Sequence, residues 1–142
     1  MNLLHHLHFI AGLFLLSACS TFKPVKDLAT HHLLEPLVPD RPLTAATPKW
    51  AINRPSIPVY LDRMPLVTRR DGQLMISQLD LWGEPLDAGI TRVMASNLSR
   101  LTGSSQIRPI GNFSTMDYSA LLELNITEFE PDSSNNMVLR GT

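Results

Sequence analysis

Cysteine is nearly missing from this chain: Cys19 is the only one in 142 residues. A disulfide framework is therefore excluded, and any thiol chemistry would rest on that single residue. Charge of one sign is missing too. Twelve Lys and Arg stand against 13 Asp and Glu, intermixed, for a formal charge of −1. Without a basic stripe, a nucleic-acid surface is not expected. Past the first 18 residues no apolar run approaches the ~20 residues needed to span a bilayer. The motifs of common catalysis are also wanting. There is no Gly-x-Ser-x-Gly elbow, no phosphate-cradling glycine loop and no His-Glu-x-x-His pair. Of the five histidines, His5, His6 and His8 sit near the start, while His31 and His32 are adjacent. Neighbours on a strand point to opposite faces, so this pair makes a poor metal site. No enzyme, metal or cofactor is expected.

What is present begins at the N-terminus. Leu7 to Leu16 is apolar except for His8. Its length, about ten residues, suits a signal-peptide core and is too short for a membrane span. Leu16-Ser17-Ala18-Cys19 follows and resembles the bacterial lipobox, in which the cysteine is lipidated and becomes the first mature residue. The n-region departs from the usual pattern, with no Lys or Arg before Lys23. The resemblance makes residues 1–18 a lipoprotein signal peptide and Cys19 the lipid attachment site. Residues 19–28 become a polar, Pro-broken tether, and 29–142 the domain proper. Removing 18 of 142 residues leaves 124, enough for one domain and too few for two.

Within the domain, Ala29 to Leu34 reads as a strand stopped by Glu35-Pro36. Pro36, Pro39, Pro42 and Pro48 then punctuate an irregular stretch. Trp50 to Asn53 alternates large apolar with small or polar and reads as a strand. Pro55 and Pro58 bracket a turn leading into Val59-Tyr60-Leu61. Leu66–Arg69 and Leu74–Ser77 flank Asp71-Gly72, a pair suited to the positive φ of a tight turn, and so form a hairpin.

Pro85 suits a helix start and Asp87 its first turn. Leu86, Ile90, Val93, Met94, Leu98 and Leu101 then make one apolar stripe, with Thr91, Arg92, Ser96 and Arg100 opposite and Gly103 as the stop. The stripe is expected to pack on a sheet, since the polar face is too weakly basic for a membrane-surface helix. Asp80, Glu84 and Asp87 are expected around the helix start, as acids favoured by the helix dipole and not as a catalytic pair. Ile107 to Ile110 reads as a short strand kept to an edge or an end by Pro109. Leu122, Leu124 and Ile126 alternate with polar residues as in a half-buried strand, and Met137 to Leu139 starts another. The fold class expected is a single α+β domain, a mixed β-sheet with the amphipathic helix on one face.

Two long blocks carry a family resemblance. Ile57-Pro58-Val59-Tyr60-Leu61-Asp62-Arg63-Met64-Pro65-Leu66-Val67-Thr68-Arg69 is the first. The second runs from Trp82-Gly83-Glu84-Pro85-Leu86 through Gly89-Ile90-Thr91-Arg92-Val93 to Asn97-Leu98. Together, with their spacing and with Asp117-Tyr118 before a strand ending Glu128-Phe129-Glu130, they resemble the PqiC/YmbA-like ABC-type transport auxiliary lipoproteins. The resemblance implies a periplasm-facing lipoprotein that assists intermembrane lipid transport. Its implied partners are an MCE-domain periplasmic protein and inner-membrane transporter components, and its implied role is docking or capping. Tyr60, Arg63, Trp82, Glu84 and Pro85, all within the blocks, are the candidate partner-binding residues. Ser20 after the lipidated cysteine, where aspartate would favour inner-membrane retention, leans the anchor toward the outer membrane. A homo-oligomer is left open, as is the alternative role of a structural or assembly envelope lipoprotein that moves no lipid. Family members usually continue past the equivalent of Thr142, so the resemblance also implies a domain whose C-terminal elements are missing.

Overall fold

The computed structural model describes residues 26–43, 47–111, 117–131 and 136–142. The lipobox, Cys19 and most of the 131–136 loop lie outside these residues. The described strands are β1 (Thr30–His32), β2 (Trp50–Ile52), β3 (Pro65–Arg70), β4 (Gln73–Trp82), β5 (Ile107–Pro109), β6 (Ala120–Leu122), β7 (Ile126–Pro131) and β8 (Met137–Gly141). One helix, α1 (Leu86–Thr102), stands between β4 and β5. The α+β class is as expected, and the strands divide among three sheets, ordered β1-β4-β3, β5-β2-β6 and β7-β8.

The β3–β4 hairpin turns at Asp71 and Gly72, whose φ values of 51° and 77° are the conformation that Asp-Gly tolerates best. Its register slips between Pro65↔Leu81 and Val67↔Ile76, so β4 bulges across residues 77–80. The bulge turns backbone donors of β4 toward a side chain of the same strand. Ser77 Oγ accepts two of them, from the N–H groups of Asp80 (2.8 Å) and Leu79 (3.3 Å). Asp80 therefore belongs to a strand and not to the helix start, because β4 runs longer than its alternating pattern reveals.

Gly103, at φ 76°, ends α1 in the left-handed conformation that the sequence predicts, with its N–H donating to Ser99 O. Pro85 is the residue before the first helical position, one step from expectation and within the usual play of helix boundaries. Asp87 sits in the first turn, where its side chain accepts from the Ala88 N–H and pairs with Arg54 at 3.1 Å.

The helix is covered more widely than its apolar stripe implies. Leu86 and Ile90 are buried as expected, in a cluster with Leu61, Val67 and Ile126. A second cluster joins Ala95 to Ile52 and Ile107 across the parallel β5-β2-β6 sheet, with Met94 packed against both. Thr91 and Ser99 are buried on that side, their hydroxyls donating to Asp87 O and Ile107 O, while Leu101 is 62% exposed. Small residues at positions 91, 95 and 99 let helix and sheet backbones approach, a fit that hydrophobicity alone does not signal. The polar face is not bare either. Asn97 accepts from the Val38 N–H, Arg100 donates to Val38 O and pairs with Asp40, and Arg92 donates to Leu34 O. The Pro-punctuated segment thus lies fastened along the helix that was expected to face solvent there.

The alternation Leu122, Leu124, Ile126 holds in burial but spans two elements. The chain leaves β6 beside β2 and enters β7 in another sheet, with the 53–56 segment following it through backbone bonds from Asn53 to Leu122, Ser56 to Leu124 and Ile126 to Ser56. No helix among the described residues is long and apolar enough to cross a membrane.

Candidate functional site

Both family blocks converge on the cluster of Leu61, Val67, Leu86 and Ile90. The first block supplies the turn at Pro58–Leu61, held by Leu61 N–H to Pro58 O at 2.9 Å, and then β3. The second supplies the end of β4, the turn and α1. Between them a pocket of about 290 Å³ opens beside the cluster. Its walls include Leu33 after β1, Leu61, Leu66, Trp82, Phe129 and Met137. Trp82 and Phe129 stack, centroids 6.1 Å apart and planes at 30°. Among the described residues no Lys, Arg, Asp or Glu lines the pocket.

His32, in the wall, pairs through Nε2 with Asp80 Oδ1 at 3.0 Å, both side chains about half exposed. The hydrogen bond from His32 and a second from Ser77 hold the Asp80 carboxyl below the usual carboxylate range. Adjacent lies a charge network tying β3 to the β7–β8 hairpin. Arg69 pairs with Glu130 and, at 3.2 Å, with Glu128, which also takes Arg140 at 2.7 Å. Glu130 is only 3% exposed, so its carboxylate depends on Arg69 for compensation. Glu130 in turn is the main cause that raises the Arg69 pKa.

The five candidate residues are not equivalent. Tyr60 packs against the cluster with its hydroxyl buried and without a hydrogen-bond partner. Burial first, and the Glu130 charge second, push its pKa up. Trp82 is likewise partly buried against the cluster and open to the pocket. Glu84 is engaged by Arg92 through three bonds of 2.5, 3.1 and 3.4 Å, so it braces the entry to α1. Pro85 and Arg63 are exposed. Of the five, Tyr60 and Trp82 are brought together on one cluster, and Arg63 stands apart on the loop before β3. Residue-level reading did not name Phe129, Met137 or Leu33 as site residues; they come from distant segments, and only the assembled fold unites them.

Among the described residues no three His, Cys, Asp or Glu side chains converge as a metal site. What the arrangement offers is an apolar cavity flanked by paired charges, the chemistry of binding.

The fold is shared with solved structures. A crystal structure of a Xanthomonas campestris protein of the DUF330 family superposes with a TM-score of 0.52 at 14% identity, covering 80% of this chain and 75% of that one. A crystal structure of an uncharacterized protein gives 0.50 at 21% identity over 72% and 74%. At these identities the likeness is one of fold alone. No curated protein matches. Residues 32–142, the span containing both blocks, the pocket and the charge network, match the family of the ABC-type transport auxiliary lipoprotein component; the chain belongs to that family of membrane-anchored envelope lipoproteins, which is not a known enzyme family.

Proposed function

We propose that this auxiliary lipoprotein serves an MCE-type intermembrane lipid transport system, docking or capping the periplasmic assembly at the outer membrane. The observation that carries the reading is the meeting of the two family blocks. They fold into a single framework around Leu61, Val67, Leu86 and Ile90, which presents a loop, a helix entry and an apolar pocket to a partner. The signal peptide at 1–18 delivers the chain across the inner membrane, and Cys19 carries the lipid. Several acyl chains at about 0.8 kcal/mol per buried CH₂ make such an anchor lasting. The tether 19–28 then holds the domain on the periplasmic side. The partners are an MCE-domain protein and, through it, the inner-membrane transporter components.

Arg63 is the candidate best placed for direct contact, because it is exposed on a family block whose turn is held by backbone bonds. Fractionation and capture test the proposal together. Cys19→Ala is expected to release the processed domain from membranes. Arg63→Glu is expected to reduce capture of the MCE-domain protein several-fold at unchanged melting temperature, whereas Trp82→Ala lowers both. A Cys19→Ala protein that stays membrane-bound after processing would remove the anchor from this account. A folded lipoprotein that captures no MCE-domain protein would leave the role of structural or assembly lipoprotein.

A further inference from the structure

We infer that the pocket beside Trp82 takes one acyl chain of a bilayer phospholipid, with the headgroup left outside. Protein cores leave few voids larger than a water molecule. Here three of the five residues of the larger core cluster, Leu61, Val67 and Leu86, also form the pocket wall. The pocket thus reaches from an open mouth down to the core itself. Its volume of about 290 Å³ approaches the range of ligand sites, which starts near 300 Å³.

The wall decides the chemistry of the occupant. Among the described residues it holds no carboxylate, ammonium or guanidinium, and its polar members are His32, Thr68 and the Trp82 indole. Water inside would find too few of the two to four polar partners that it needs. A zwitterionic or phosphate headgroup would be stripped of water with no counter-charge to meet it. A hydrocarbon chain suffers neither penalty, and each methylene it buries strengthens binding about fourfold. At the wall the hydrogen-bonded His32 and Asp80 side chains are about half exposed, which places polar chemistry at the mouth where a headgroup would remain. Leu33 and Met137, 54% and 58% exposed, also line the pocket. They give the mouth an apolar lip across which a chain can pass from a membrane.

The inference rests on the lipid-transport reading only for the choice of a phospholipid as occupant. Its test uses the full lipidated protein in phosphatidylethanolamine vesicles containing a phospholipid with a diazirine on one acyl chain. Photolysis is expected to label wall residues such as Leu61, Leu86 and Phe129. Leu33→Trp and, separately, Met137→Trp narrow the mouth from exposed positions and should reduce that labelling at least fivefold at unchanged melting temperature. Met75→Trp, equally exposed but away from the pocket, should not reduce it. In a second arm the diazirine is built only into the Cys19 lipid, and the vesicles carry none. Wall labelling confined to that arm would overturn the inference by assigning the pocket to the protein's own anchor. Labelling that spares the wall, or that ignores both Trp substitutions, would overturn it as well. Capture of the MCE-domain protein is scored on the same samples. Lost wall labelling with intact capture refutes the pocket inference alone, and intact labelling without capture refutes the docking role alone.

Discussion

Trp82, the last residue of β4, stacks on Phe129 of β7 with ring centroids 6.1 Å apart. The pair joins two sheets that share no backbone ladder and closes one wall of the pocket. Such pairs contribute about 0.5–1.5 kcal/mol beyond their buried area. Trp82→Ala is expected to cost about 2–3 kcal/mol, below the full cost of a wholly buried tryptophan. Urea unfolding of the two single variants and the double variant should give a coupling energy within that stacking range. Strict additivity would mean that the rings touch without stabilising each other.

Ile90 and Arg92 lie two residues apart on α1 and should respond differently. Ile90 is 7% exposed in the main cluster, so Ile90→Asp buries an unpaired carboxylate and is expected to prevent folding. Arg92 joins Glu84 to Leu34 O, and Arg92→Ala should cost about 1 kcal/mol, more than a bare surface change. Soluble yield and denaturant midpoints measure both. An Arg92→Ala midpoint equal to wild type would mean that the strap along the helix contributes nothing.

Tyr60 buries a hydroxyl with no partner, which carries a desolvation cost of about 1–3 kcal/mol. Tyr60→Phe keeps the ring and removes that cost, so stability should rise by about 1 kcal/mol. The raised phenol pKa fixes the sign at high pH. A group whose folded pKa lies above its unfolded value supports the fold below that value and loses the support as pH rises through the folded pKa. Wild type should therefore lose stability above about pH 10, and Tyr60→Phe should lose less. Denaturant titrations at pH 8 and 11 decide this.

The Asp80 carboxyl is held low by His32 and Ser77. Its contribution to stability is present above the unfolded carboxylate pKa of about 3.9 and fades as pH falls through the lower folded value. His32→Ala removes the larger cause, so the Asp80 titration followed by carboxyl NMR should move up toward the ordinary value. No movement would mean that Ser77 alone sets it.

The sequence made the helix, its glycine stop and the Asp-Gly hairpin legible because local chemistry dictates each of them. Asp71 and Gly72 need no tertiary partner to favour positive φ, and Gly103 needs none to end α1. Where distant segments decide, the pattern was silent. Nothing near Arg92 or Arg100 announces that residues 34–40 will cover them, and nothing near Leu124 announces that the chain will change sheets there. Asp80 looked like a helix-start acid because the bulge that lengthens β4 has no signature beyond Ser77. The pocket was invisible for the same reason, with Leu33, Trp82, Phe129 and Met137 meeting only in the folded chain. Its neighbours Tyr60 and Trp82 were marked by the family blocks, and Arg63 was marked without any sign that it would stand free of them.

The central claim is that this lipoprotein docks on the MCE-domain component of its transport system. The most direct measurement is binding between the purified, lipidated full chain and that purified component, both in detergent, followed by co-elution and by titration. Saturable binding that Arg63→Glu weakens several-fold, with the melting temperature unchanged, is the expected result. A folded, lipidated protein that elutes alone at every concentration of the MCE-domain component would contradict it.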